Sequence, residues 1–223
     1  MQDISSTALF DLSHTLASPL LENCNEPWCA LPKLKEFILS LGQTLSKDNY
    51  YQLSPGVWVA KTAVIAPTAI ITAPAIIGEN TEVRHCAYLR GATLIGNDCV
   101  VGNSCELKNC ILFDAVQVPH FNYVGDSILG YHSHMGAGAV TSNVKSDHST
   151  VNLRHNGVKI ETGMKKLGSL VGDFVEIGCN SVLNPGTIIG KHSRVYPLTS
   201  VRGTVSPDSI VKSADTVVPI KKS

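Results

Sequence analysis

The sequence predicts an all-β chain wound as a parallel β-helix, and three periodic marks predict it. Stepping by six from Val59 meets Ile65, Ile71, Ile77, Val83, Leu89, Ile95, Val101, Leu107 and Phe113 with no polar residue. After an interruption the step resumes through Val171, Ile177, Leu183, Ile189, Val195 and Val201. Hydrophobic types make up only 43% of the chain, so composition alone does not produce this run. Small residues recur four places later, at Ala63, Ala69, Ala75, Thr81, Ala87, Thr93, Cys99 and Cys105, and again at Ser181, Thr187, Ser193 and Thr199. Glycine recurs directly after the aliphatic, at Gly78, Gly96, Gly102, Gly125, Gly136, Gly172, Gly178 and Gly190, where a backbone without a side chain turns most easily.

Each hexad is therefore a short strand and a bend. Three of them close a triangular coil of about eighteen residues, and stacked coils bury the aliphatic column while their backbones pair above and below. An amphipathic helix needs apolar residues three and four apart, and a βαβ unit needs a helix between strands; a period of six fits neither.

Taken in order, residues 1–50 precede the repeat. In LPKLKEFILSLG, Leu31, Leu34, Ile38 and Leu41 share one helical face, with Pro32 suited to the first turn and Gly42 to the C-cap. A stack of coils has a raw apolar end, so this short helical segment is expected to cap the N-terminal mouth. Residues 51–205 form the β-helix. The strict phase is expected to break at Pro119, with one repeat shortened in VPHFNYVGDSILG, and to be lost in an inserted loop at about 143–166. Residues 206–223 form a strand-like tail, either along its own coil or across a neighbouring subunit.

Lysine plus arginine equals aspartate plus glutamate, 18 each among 223 residues, so no net field favours nucleic acid or an anionic membrane surface. No apolar run is long enough to span a bilayer and the N-terminus has no leader pattern, so a soluble, cytoplasmic protein is expected. The seven cysteines form no CxxC pair or zinc-finger spacing and read as reduced core residues.

A solenoid that keeps phase and then loses it often carries its function at the break. There the motifs RGATLIG, VGNSCELKN, PHFNYVGDSILG, MGAGAVTSN and LVGDFVEIG follow in order. Over roughly residues 57–205 they resemble the acetyltransferase half of the bifunctional N-acetylglucosamine-1-phosphate uridyltransferase/glucosamine-1-phosphate acetyltransferase family. The loop ending in ETGMKKLG is similar to the archaeal sugar-phosphate nucleotidyltransferases that carry an acetyltransferase tail. The resemblance implies the left hand of the helix, a homotrimer, and acetyl-CoA as acyl donor in a groove between subunits. It also implies an amino-sugar phosphate or nucleotide amino sugar as acceptor, in the biosynthesis of UDP-N-acetylglucosamine or a related sugar nucleotide. The family's glycine-rich nucleotidyltransfer loop has no counterpart here, so uridylyl transfer is not expected.

By motif, His120 matches the general base, and the chemistry supports an imidazole there. Only the unprotonated amine attacks a thioester, and a group titrating near neutral pH can take its proton. Tyr123 resembles the residue that positions base or sugar, and Asn143 the one that contacts the acceptor. Arg90 and Lys108 each follow an inward aliphatic eighteen residues apart, which stacks two cations one coil apart, fit for a sugar phosphate. Ala137 falls where family backbone groups meet the thioester carbonyl, and Gly178 and Cys179 where the pantetheine channel runs, Cys179 replacing a serine. His134 replaces an asparagine, and NVKSDHSTVNLRHNG replaces the acceptor loop, in which Lys145 or Arg154 stands in for the family's lysine.

Two other functions fit the same prism. One is a non-catalytic scaffold. The other is a γ-carbonic-anhydrase-like zinc enzyme, for which His85 and His120 are suitably spaced but the third ligand position is Gly125, so no metal is expected. His132, His134, His148 and His155 read as surface or loop histidines.

Overall fold

The computed structural model describes residues 4–155 and 157–220 and shows a β-solenoid of about nine turns. Expectations for the first and last three residues lie outside the described part. Three walls of parallel strands run the length of the prism. The first is built from Val57–Ala60, Ala75–Ile77, Thr93–Ile95, the second half of Glu106–Leu112, the second half of Tyr123–Leu129, Ser169–Val171, Thr187–Ile189 and Thr204–Val205. The second holds Gln117–His120 between Val100–Asn103 and His134–Met135. The third holds the first half of Tyr123–Leu129 between the first half of Glu106–Leu112 and Val140–Thr141.

The inward column is dry. Val59, Ile77, Ile95, Leu107, Leu112, Val124, Leu129 and Ile189 are fully buried, and burial of one such side chain contributes about 1.5–3 kcal/mol. The coil is shortened within VPHFNYVGDSILG as expected, at the corner Gly125–Asp126, where Ser127 pairs with Cys110 seventeen residues back, but a first shortening comes before Pro119. Leu107 pairs with Leu89, eighteen residues back, whereas Cys110 pairs with Thr93, seventeen back. The missing residue belongs to the corner Lys108–Asn109, which does in two residues what Arg90–Ala92 does in three. Leu112, not Phe113, is therefore the inward partner of Ile95. Phe113 occupies the place of Gly96 in the next coil and turns outward, its ring 5.1 Å from that of Phe10.

The periodic glycines are also explained differently from the sequence expectation. Gly78 and Gly178 are not the bend; a Cβ at either would overlap backbone of the next coil, at Gly96 and Pro197 respectively. Bends are made instead by left-handed residues just before the small positions, such as Asn80, Asp98, Phe121 and Asn180.

The N-terminal segment does not sit over the mouth; it runs along the flank of the first wall. Its main helix is Leu34–Thr44, preceded by a 3-10 stretch Pro27–Lys33 that contains Pro32. Gly42 lies inside the helix rather than ending it, because its missing side chain admits the Trp58 indole. The helix lies on Ala75–Ile77, Thr93–Ile95 and Glu106–Leu112, and the 3-10 stretch on Tyr123–Leu129. The reason is visible in the wall: Ile76, Leu94, Ile111 and Ile128 point outward beside the inward aliphatics and are fully buried by this cover. Further back, the buried Asp173 carboxylate accepts the Asp11 and Tyr131 N–H groups at 2.7 and 2.8 Å and pairs with Lys191 at 2.9 Å.

At the first wall's N-terminal edge, Tyr50–Ser54 pairs antiparallel with Val57–Ala60. At the other end the tail follows its own coil. Ser209–Ser213 extends the second wall in parallel with Arg194–Val195, and Thr216–Pro219 folds back antiparallel on it. No helix among the described residues is long and apolar enough to cross a membrane.

Candidate active site

The sequence-selected residues gather at the two corners that flank the third wall. At the corner entering that wall, His120, Ala137 and Cys179 occupy successive coils: the Gly138 N–H donates to the His120 carbonyl and the Asn180 N–H to the Ala137 carbonyl. Gly178 precedes Cys179 in the same bend. His120 is exposed, as is the free thiol of Cys179. The main chain at His120 is held by a residue that motif reading passed over. Buried Asn122 accepts the His120 N–H at 3.1 Å and donates through Nδ2 to the carbonyls of Gly136 and Ala139 at 2.8 and 3.0 Å. One amide side chain thus ties the His120 bend to the Ala137 bend.

Tyr123 lies on the wall between the corners. Its hydroxyl accepts from Asn143 Nδ2 at 3.2 Å, and burial pushes the phenol up from its ordinary value while that hydrogen bond acts against the shift.

The far corner holds Arg90, Lys108 and Asn143 around a carboxylate. Asp126, almost fully buried, accepts Lys108 Nζ at 3.0 Å on both oxygens, Asn109 Nδ2 at 2.8 Å, and Asn143 Nδ2 at 2.5 Å. Arg90 and Lys108 are one coil apart, but they do not face a common empty space. Arg90 pairs with Glu106 at 2.9 Å, which holds its guanidinium above the ordinary value, and Lys108 is tied to Asp126. Asp126 and Asn109 were missed because they belong to no charged pair in the sequence. The signal was nonetheless there: Asn109, Asp126 and Asn143 are spaced by seventeen, one shortened coil each.

The inserted segment leaves this same corner after Thr141 and returns at Gly168. It carries the hairpin Asn152–His155/Val158–Glu161, with Arg154 opposite Lys159. Lys145 stands at its root, bonded to Ser149 and 3.3 Å from Asp147. His134 lies away from both corners, its Nδ1 2.8 Å from Glu176 on the second wall, and His85 is 3.3 Å from the Thr68 hydroxyl. Among the described residues no three histidine, cysteine or acidic side chains come together as a metal site.

The family model for the GMPPB C-terminal domain matches residues 74–156. A bifunctional sugar-1-phosphate nucleotidylyltransferase/acetyltransferase of Sulfurisphaera tokodaii is 35% identical over 92 residues, 41% of this chain and 23% of that protein. The bifunctional protein GlmU of Methanococcus maripaludis strain C5 is 32% identical over 117 residues, 52% of this chain and 28% of the relative. The matches thus span about a quarter of the relatives' own lengths. Among solved structures, the polysialic-acid-specific acetyltransferase NeuO aligns over 70% of this chain and 81% of its own, at 10% identity and a TM-score of 0.45. GDP-perosamine N-acetyltransferase of Caulobacter crescentus, solved with coenzyme A and GDP-perosamine, aligns over 82% and 70% at 15% identity and a TM-score of 0.32. In sequence, this chain is similar to the acetyltransferase part of the bifunctional sugar-1-phosphate nucleotidylyltransferase/acetyltransferases.

Proposed function

We propose that the chain is an acetyl-CoA-dependent N-acetyltransferase acting on a phosphorylated or nucleotide-linked amino sugar, with His120 as general base. The observation that carries the reading is the stacking of an exposed imidazole, the Ala137 bend and the Gly178–Cys179 bend on one corner, beside a wall that carries Tyr123 and ends at the corner of Asn143. The relatives' acetyltransferase names and the coenzyme A in several neighbours' structures supply the donor.

His120 takes the proton released as the amine attacks the thioester carbonyl, while Asn122 holds the main chain beneath it. A developing oxyanion needs hydrogen-bond donors, so the contribution of Ala137 is its N–H. Cys179 borders the donor's thiol arm. Tyr123 and Asn143 hold acceptor hydroxyls. In a homotrimer the corners of adjacent prisms would enclose the groove, which accounts for an exposed general base in the isolated chain.

The test is thiol release from acetyl-CoA across a panel of amino-sugar phosphates and nucleotide amino sugars. His120→Ala should lower turnover by about 10² to 10⁴ with an unchanged melting temperature. Turnover unaffected by that change removes His120 from the mechanism, and no turnover with any acceptor favours a binding scaffold.

A further inference from the structure

One cleft lies beside the inserted hairpin, apart from the two corners of the third wall, and is strongly basic. It has a volume of about 750 Å³ and lies between the inserted hairpin and the corner at Pro185–Gly186 and Arg202–Thr204. Four cations line it, Lys145, Arg154, Lys159 and Arg202, with Asn152; no acidic side chain does. The acids that pair with the two lysines, Asp147 and Glu161, lie outside the lining. Arg154 and Arg202 have no ion pair among the described residues.

The hairpin holds this concentration of charge on an exposed face in a fixed register. Arg154 and Lys159 are direct cross-strand partners, where like charges repel and opposite charges are favoured. Leu153, on the other face, is buried, and Gly186 lies so close beneath the hairpin that a Cβ there would come within 2.7 Å of the Leu153 side chain. The Thr204 hydroxyl donates to the Arg154 carbonyl at 2.9 Å, which fixes the strand over Arg202. Packing therefore holds two mutually repelling cations over a third, an arrangement that an anion between them relieves. Two guanidinium groups suit phosphate oxygens, which they can bind in pairs, and the volume is that of a site for a whole organic ligand rather than one small ion.

We propose that this cleft binds the diphosphate of a nucleotide. Within the transferase reading, on which the identity of the ligand's source rests, the diphosphate belongs either to a nucleotide-linked amino-sugar acceptor or to the adenosine end of coenzyme A. Arg154 and Arg202, without an ion pair among the described residues, against the already paired Arg90 and Lys108, favour the acceptor.

Calorimetric titration of the full chain with uridine, thymidine and guanosine diphosphates, coenzyme A, pyrophosphate and inorganic phosphate tests this. Two variants are compared, Arg154→Gln/Lys159→Gln and the single change Lys159→Glu. The second replaces the cross-strand repulsion with Arg154 by attraction and gives up the exposed Lys159–Glu161 pair, so a melting temperature beside the parent's establishes that each variant is folded. At least a tenfold loss of nucleoside diphosphate affinity in both, with coenzyme A binding intact, supports the acceptor source. Loss of coenzyme A alone supports the same chemistry from the donor. Affinities unchanged in both variants, or inorganic phosphate bound as tightly as any diphosphate, overturn the proposal. Absence of thioester turnover alongside retained diphosphate binding would instead remove the proposed reaction and leave the cleft standing.

Discussion

Lys108 separates two readings of the far corner, and its replacement by methionine distinguishes them. In the structure its ammonium lies 3.0 Å from both oxygens of Asp126, whose side chain is 5% exposed, while Lys108 is 25% exposed. Breaking a fully buried pair costs about 3–5 kcal/mol, and an exposed pair contributes only about 0.2–1 kcal/mol. Here one partner is part-exposed, and the stranded carboxylate keeps Asn109 and Asn143 as donors. The expected loss for Lys108→Met is therefore about 2 kcal/mol, between those limits. Urea unfolding at neutral pH measures it. Asp126→Asn in the same background should recover much of the loss, because a neutral amide no longer needs the cation, and the double-mutant cycle isolates the coupling. If Lys108→Met left stability unchanged but raised the acceptor KM severalfold, the lysine would be a free phosphate ligand and the structural account of this corner would be wrong.

Other outcomes follow from the same packing. Gly42→Ala forces a methyl into the Trp58 indole and should cost about 1–3 kcal/mol in thermal or urea unfolding, although alanine is the better helix former; a gain in stability would refute the Trp58 contact. Phe10→Ala removes a buried ring from Phe113 and should cost about 3–5 kcal/mol, with the loss seen as early proteolysis of residues 4–50 if the flank cover detaches first. Burial pushes the Cys99 thiol up to about 12 and the Cys110 thiol up as well. Folded, these thiols keep protons that the unfolded chain releases, so their contribution is full below the ordinary thiol range and is lost as pH rises towards 12. Urea midpoints should thus fall between pH 8 and 10, and Cys99→Ala should reduce the slope. At pH 8 a thiol reagent should modify the exposed Cys86 and Cys179 before the buried Cys99, Cys105 and Cys110, and saturating coenzyme A should protect Cys179 alone.

Much of this molecule is local in origin, and that part was legible. A period of six in aliphatics names a coil, and the insertion between Thr141 and Gly168 announces itself as lost phase. The apolar pairs Ile76–Ile77, Leu94–Ile95, Ile111–Leu112 and Ile128–Leu129 also carry the mark of a wall buried on both faces, which the expectation of an end cap left unused. They were open to reading as such, since a strand covered on both sides is apolar at consecutive positions.

What only the tertiary structure decided is what depends on register between coils. Counting by six puts Phe113 inside, but the two-residue corner at Lys108–Asn109 shifts the following partners by one, and a second at Gly125–Asp126 by one more, so Phe113 faces the N-terminal segment instead. The same shift brings Asn109, Asp126 and Asn143 into one stack and gives Lys108 a buried carboxylate. Sequence spacing places a charge on a wall; whether it is spent on a neighbour or left for a ligand depends on contacts between residues far apart in the chain. For that reason Arg90 and Lys108, which are paired, and Arg154 and Arg202, which have no ion pair among the described residues, look alike in the sequence and differ in the fold.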